Sequence, residues 1–381
     1  MIVSLAKLYK FKSLALFRYL KIAGYIDRLL NVLYPRRIQT NLSQFHLDHV
    51  VPIQNQVKLF SGNLQIERYL LYTPQFVVRN NVKMEADFYF AYMKSVEELG
   101  KNIELITSLN QTNLNGDLRK TLLIIDGHTL LNLPKSQVEI LDLFRLNGGV
   151  VLFDHPDLIK SKNGEKLLDL CFQFADFGVI HNPRLNFEKF LNRVILWPTY
   201  PFADVFSSTV SQEKKSALLF SGSSFRGLNG RKYFFKYAVK RGLDVIYSMA
   251  DGGKEENMYS EYSEYLKSLE VCKLSFTTGY RNRKESLLAF RCIELMLRGV
   301  VVLYEEGSFI DYFFTPYVHY IPVKNAPDMF LKAEYLLRNP ELINSVSTNA
   351  KLYCQAKFSN KTFWVEIDKM LDISRNDSEV Y

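Results

Sequence analysis

Thr121-Leu-Leu-Ile-Ile-Asp126, Val150-Val-Leu-Phe-Asp154 and Phe177-Gly-Val-Ile-His181, with Ser136 to Leu146 and Gly164 to Phe174 between them, decide the fold. The three short runs are continuously apolar rather than alternating, as strands buried on both faces are. The stretches between them are long enough for helices. Ser136 is the expected N-cap of the first, and Gly148-Gly149 follows its end. Strand, helix, strand, helix, strand at this spacing implies a parallel sheet with right-handed crossovers.

The same alternation extends both ways. Upstream, Tyr69 to Tyr72 reads as a strand and Ala86 to Leu99 as a helix. Downstream, Arg193 to Pro201 is a last strand running into a linker, and Ser207 to Lys215 a polar joint. A second series follows, with expected strands at Ala217–Gly222, Leu243–Tyr247, Leu274–Thr278, Val300–Tyr304 and Val318–Val323. Its expected helices are Gly230–Arg241, Met258–Val271 and Glu285–Arg298, then 327 to 372 with breaks at Asn339-Pro340 and near Phe358. The expected fold class is α/β, with two doubly wound, Rossmann-like domains. The expected division is 1–37, 38–205, 206–360 and a closing helix and tail at 361–381.

At 381 residues the chain suits two domains. With 48% hydrophobic and 23% charged residues it is neither disordered nor collagen-like. Cys171, Cys272, Cys292 and Cys354 are far apart and form no C-x-x-C pair, which points to a reducing compartment rather than a disulfide framework or zinc site. No apolar run reaches the roughly 18 residues of a membrane span. Lys and Arg interrupt the N-terminal apolar runs too often for a signal peptide.

Of the formal net charge of +8, residues 1–37 carry +7, from Lys7, Lys10, Lys12, Arg18, Lys21, Arg28, Arg36 and Arg37 against Asp27. Leu5, Leu8, Phe11, Leu16, Phe17, Leu20, Ile26, Leu29 and Leu33 alternate with these cations up to Pro35. The pattern is that of one or two basic amphipathic helices. Such a helix lies in an anionic membrane interface or packs its apolar stripe on the protein; both readings stand. The segment is too aliphatic for a nucleic-acid arm, and no nucleic-acid partner is expected.

In open α/β sheets ligands bind beyond the carboxyl ends of the strands. Asp126-Gly127-His128, Asp154-His155 and His181-Asn182 sit at three such ends, and they hold three of the six histidines. Asp126, His128, Asp154, His155 and His181 are therefore candidates for a general base or nucleophile acting on a hydroxyl, Asp126 and Asp154 first because each directly ends a buried strand. Their competing reading is that Asp after a strand merely caps the next turn. In the second series Gly222-Ser223-Ser-Phe-Arg226 leads through Gly230-Arg231 into a helix. Small residues let backbone N–H groups approach a diphosphate, and Arg226 or Arg231 can pair with it. The loop matches neither the Walker nor the G-x-G-x-x-G pattern and also reads as an ordinary tight turn. Tyr259, Tyr262 and Tyr265 read as a packed face, and His319 as a core or edge residue.

Further on, Arg291-Cys-Ile-Glu294 leads through Gly299 into Val300-Val-Val-Leu303. This R-x-x-E-x-x-x-x-G-x-x-x-L run, with Asn339-Pro340-Glu341 and the closing helices behind it, resembles the nucleotide-sugar half of GT-B-fold glycosyltransferases. The resemblance spans about residues 216–370 and extends to the N-terminal half in architecture alone. It implies two domains facing a cleft, with Glu294 on the donor's ribose and Gly222, Ser223, Arg226, Arg231 and Arg291 near its phosphates. Many members carry an acid eight positions before the ribose glutamate; here Glu285 lies nine before it. Arg281, Arg283 and Lys284 are the candidates for the phosphate-binding lysine's place. No Asp-x-Asp occurs, so the expected transfer is metal-independent, with no cofactor beyond the nucleotide sugar as co-substrate. The expected acceptor is glycan or lipid-linked, in cell-surface polysaccharide or lipopolysaccharide synthesis. The expected location is cytoplasmic, at the inner face of a membrane. Two alternatives remain: a non-catalytic two-domain binding or scaffold protein, and transfer of a CMP-activated acidic sugar; His155-Pro156 resembles the His-Pro motif of enzymes of that kind but falls in the other half of the chain.

Overall fold

The computed structural model describes residues 66–73, 88–155, 164–181, 188–201, 214–223, 229–250, 268–282, 285–286, 288, 290–306 and 310–378. The basic segment 1–37, Pro156, Asn182, Arg226, Arg283, Lys284, most of the polar joint and the tyrosine stripe lie outside these residues. The first series comprises β1 (Arg68–Tyr72), α1 (Phe88–Glu98), β2 (Asn102–Ile106), β3 (Thr121–Asp126), α2 (Gly127–Leu131), α3 (Lys135–Leu146), β4 (Val150–His155), α4 (Gly164–Phe174), β5 (Phe177–Ile180) and β6 (Val194–Leu196). Its six strands form one parallel sheet in the order β2-β1-β3-β4-β5-β6.

Strand alternation divides the side chains between two layers. Leu71, Ile124, Leu152 and Val179 face Tyr89, Tyr92 and Val96 of α1. Leu70, Leu123, Val151, Phe153 and Ile180 face Leu141 and Phe144 of α3 and Leu168 and Phe172 of α4. Each large side chain so buried contributes about 1.5–3 kcal/mol.

The second series comprises β7 (Lys215–Ser223), α5 (Asn229–Lys240), β8 (Val245–Ala250), β9 (Cys272–Thr277), the hairpin β10 (Tyr280–Asn282) and β11 (Glu285–Ser286), α6 (Arg291–Leu297), β12 (Val301–Glu305), α7 (Ile310–Phe313), β13 (Ile321–Val323), α8 (Ala326–Arg338), α9 (Pro340–Lys357) and α10 (Asn360–Ser378). Five strands make a second parallel sheet, ordered β13-β12-β9-β7-β8. Helix α10 then returns to the first sheet. Trp364 meets Tyr69 edge-on at 5.2 Å and donates through Nε1 to Ser95 Oγ at 2.7 Å. Asn360 Nδ2 donates to the Ser95 carbonyl at 2.9 Å and to Glu98 at 2.6 Å. One apolar cluster accordingly runs through both halves, from Tyr92 and Trp364 to Ile293 and Val302. Among the described residues no helix is long and apolar enough to cross a membrane.

Four local expectations are corrected. Helix α3 starts at Lys135, because the Pro134 carbonyl accepts the first bonds, from Gln137 and Val138; Ser136 is not its cap. The helix expected over Glu285–Arg298 starts only at Arg291, since Glu285 pairs instead with Asn282 in the hairpin. The strand expected over Val318–Val323 is confined to Ile321–Val323: Tyr317 turns the chain with a left-handed φ of 63°, its N–H bonded to the Tyr320 carbonyl. Finally, the chain segment between α1 and β3 holds β2, an unexpected strand at the edge of the sheet beside β1.

Candidate functional site

In the second sheet the chain goes from β7 to β8 on one side and to β9, β12 and β13 on the other. The switch point between β7 and β9 is where such a sheet opens a crevice at its carboxyl edge. β7 reaches that edge at Ser221, Gly222 and Ser223, the last two in register with Met249 and Ala250. Two arginines converge on it. Arg231, in the first turn of α5, donates through Nη1 to the Ser221 carbonyl at 3.2 Å. Arg291, the first residue of α6, donates to the same oxygen at 2.9 Å. Each guanidinium carries a permanent charge and five N–H donors in a planar fork. Two like charges so close make a positive potential suited to an anion.

Helix α6 runs back against the strand direction, so its first turn lies at the same carboxyl edge. Glu294 is one turn beyond Arg291 and buried. The helix is fixed at its other end. Gly299 takes a left-handed φ of 62°, with its N–H on the Met296 carbonyl and that of Val300 on Leu295, a closed C-terminal cap. Lys214 Nζ adds bonds to the carbonyls of Arg298 (2.5 Å) and Gly299 (2.7 Å), and Arg298 pairs with buried Glu270 at 3.3 Å. At the carboxyl ends of β9 and β12, Thr278 Oγ1 donates to Glu305 Oε2 at 2.5 Å. Burial raises the Glu305 pKa, against the lowering effect of that bond.

The carboxyl edge of the first sheet sorts the five candidate bases. Asp126 Oδ1 accepts from the backbone N–H of His128 and Thr129, both at 3.0 Å, and caps α2. Its Oδ2 accepts from Thr129 Oγ1 and, at 3.2 Å, from Tyr89. The capping reading of Asp126 thus has a full set of bonds behind it. Asp154 and His181, neither more than 2% exposed, are bonded to each other: Asp154 Oδ1 lies 2.8 Å from His181 Nε2. Tyr92 donates to the other carboxylate oxygen at 2.9 Å, and His181 Nδ1 donates to the Trp197 carbonyl at 2.6 Å. Burial first, then the Asp154 charge, holds the Tyr92 phenol well above its ordinary pKa, so it stays a donor. His128 is exposed, beside the β1/β3 switch point of this sheet. His155 ends β4, and its side chain is outside the described set, as are those of Ser223 and Arg281.

The two edges meet through three rings. His181 lies 5.3 Å from Tyr200 and 5.0 Å from Phe290, and Tyr200 lies 4.9 Å from Phe290. Phe290 immediately precedes Arg291. Tyr92, Tyr200 and Phe290 carry no signal in the sequence, because an aromatic residue in an apolar stretch reads only as core. Elsewhere, His319 stacks on Tyr353 at 4.3 Å and accepts the Thr315 N–H; burial pushes its pKa down to about 4. It is a neutral packing residue.

Residues 246–368 match a family model described as glycosyl transferase-like. No curated protein matches the chain. Among solved structures, HepE of Anabaena in complex with UDP is similar at a TM-score of 0.53 and 10% identity, over 80% of this chain and 99% of that one. The same protein with UDP and glucose gives 0.51 at 11% identity, over 80% and 99%. Sucrose-phosphate synthase from Thermosynechococcus elongatus gives 0.50 at 12% identity, over 80% and 98%. With two parallel α/β halves arranged as in these proteins, and one family model over much of the second, the chain has the GT-B glycosyltransferase fold and is glycosyl transferase-like in its C-terminal half.

Proposed function

We propose that the chain transfers a sugar from a nucleotide-activated donor to a hydroxyl of a glycan or lipid-linked acceptor. The observation that carries this reading is the convergence of Arg231 and Arg291 on the Ser221 carbonyl, with Glu294 one turn away. Charge develops on the diphosphate as the bond from sugar to phosphate breaks. Preorganised guanidinium donors aimed at that position stabilise the transition state more than the ground state. A carboxylate accepts two hydrogen bonds from the hydroxyls of a ribose edge, and in this reading Glu294 is that carboxylate. Gly222, Ser223 and Arg226 complete the donor side in this reading, and the arginines supply the charge compensation of a metal-independent transfer.

The acceptor hydroxyl is met from the carboxyl edge of the first sheet. With Asp126 holding a helix and Asp154 and His181 holding each other, His128 is the base of this reading, and His155 its reserve. The test is release of nucleotide from a panel of nucleoside diphosphate sugars, beginning with UDP-sugars because HepE was solved with UDP. Turnover that grows with added glycan acceptor supports the transfer. A protein that binds nucleotide without any turnover across the panel is the binding or scaffold protein instead.

The setting proposed for this activity is the cytoplasmic face of a membrane, in polysaccharide or lipopolysaccharide synthesis. It rests on the +7 charge and apolar stripe of residues 1–37. Removing residues 1–34 is expected to leave a folded protein that no longer sediments with anionic liposomes, and salt should weaken binding of the full chain. Equal sedimentation of both forms would assign that stripe to packing on the protein.

A further inference from the structure

The Asp154–His181 pair is fully engaged, which decides what it can do. A carbonyl has no proton to give, so His181 Nδ1 carries the proton it shares with Trp197 O. The 2.8 Å contact between Nε2 and Asp154 Oδ1 needs a second proton between them. Tyr92 takes the remaining carboxylate oxygen. No lone pair of the imidazole is left for an acceptor hydroxyl, and both side chains are sealed from solvent. What the circuit does fix is the plane of the His181 ring. Both ring nitrogens are tied, one to each neighbouring segment, so the ring cannot turn without breaking a buried bond.

That ring is also a bearing surface. Phe290 meets it at 72° and 5.0 Å, and Tyr200 meets it at 85° and 5.3 Å, both edge-on. Phe290 belongs to the second half and starts the helix that carries Arg291 and Glu294; its carbonyl accepts the N–H groups of Ile293 and Glu294. Within the second half the donor groups have separate supports, in the Ser221 carbonyl and the Gly299 cap. The ring contact is therefore not what holds the donor groups together. It is a contact between the donor half and the acceptor half, at the two carboxyl edges and apart from the packing of α10.

We infer that Asp154 and His181 are positioning residues, which set the two halves in register for transfer by seating Phe290 against a locked imidazole. The inference rests on the proposed transfer for its consequence in rate, but not for its geometry. A misplacement of about 1 Å between reacting groups costs on the order of 10²-fold in rate.

The test uses the full chain with spin labels at Leu146→Cys and Tyr312→Cys, exposed positions in the first and second halves. All four native cysteines are buried, so the labels are selective. The wild type should give one narrow distance between the halves. Asp154→Ala, His181→Ala and Phe290→Ala should each broaden it. Asp154→Asn should not, because the amide oxygen still accepts from Tyr92 while its N–H donates to a neutral Nε2. Transfer should fall about 10²-fold in the three broadened variants, with UDP affinity changed less than about threefold. In Asp154→Asn, transfer should stay within about threefold of wild type. The His181→Ala/Phe290→Ala double variant should be no slower than either single one. A broad distance in the wild type, an unchanged one in every variant, or an Asp154→Asn variant as slow as Asp154→Ala would overturn the inference. If the alanine variants of the pair do not fold, Asp154→Asn and Phe290→Ala decide it alone. A wild type that turns over no nucleotide sugar counts against the proposed function, and the distance measurements still decide the positioning role.

Discussion

Glu294→Ala is expected to weaken nucleotide binding by about 10²-fold or more while the protein stays folded. Two hydrogen bonds from ribose hydroxyls to a carboxylate, at about 1.5–3 kcal/mol each, account for that loss. The helix should survive, because its end is held by the Gly299 cap and by Lys214, and its apolar face by Ile293, Leu295 and Met296, all buried. Calorimetric titration with UDP, alongside a thermal melt of both proteins, measures the two effects separately. Unaltered affinity in a folded variant would take the ribose away from Glu294. A variant with weaker binding and a collapsed melting temperature would instead assign Glu294 to stability.

The acceptor side predicts a different kind of loss. His128→Ala should lower the transfer rate by about 10²- to 10⁴-fold, the usual contribution of a positioned base, and leave UDP affinity intact. Asp126 provides the contrast. Asp126→Ala removes a helix cap and should cost about 1 kcal/mol of stability, whereas Asn in its place can still cap. If Asp126→Asn is inactive while His128→Ala transfers normally, the carboxylate is the base and its capping bonds are secondary. Rate and stability measured on the same three variants separate these outcomes.

The strands were legible where the chain is buried on both faces. Thr121–Asp126 and Val150–Asp154 are continuous apolar runs because helices cover both sides of the sheet, and Leu122 to Ile125 are wholly inside. Asn102–Ile106 was not legible. It is an edge strand, and apart from Ile106 its residues are exposed or half-buried, so no apolar run marks it. The overlong helix at Glu285 has the opposite cause. Glu, Leu and Ala favour a helix locally, and nothing local records that Glu285 pairs with Asn282.

The site divides in the same way. Arg291 and Glu294 were legible because their spacing on one helix is a property of the chain itself. Arg231 was one of two arginines that the loop offered, and only the folded edge brings it to Arg291. The bond between Asp154 and His181 was out of reach of any local pattern. It depends on β4 and β5 being neighbours, with Asp154 in register with Val179, and on a tyrosine from α1 reaching the same carboxylate. Read one at a time, each is a titratable residue at a strand end; only together do they become a closed pair.

In the proposed transfer the donor's diphosphate is held at the end of β7, where Arg231 and Arg291 meet on the Ser221 carbonyl. A crystal structure of the full chain with UDP tests it most directly. The account predicts diphosphate oxygens within hydrogen-bond distance of Arg231 and Arg291, and both ribose hydroxyls on Glu294. UDP found elsewhere, with these three side chains left without it, would contradict the account.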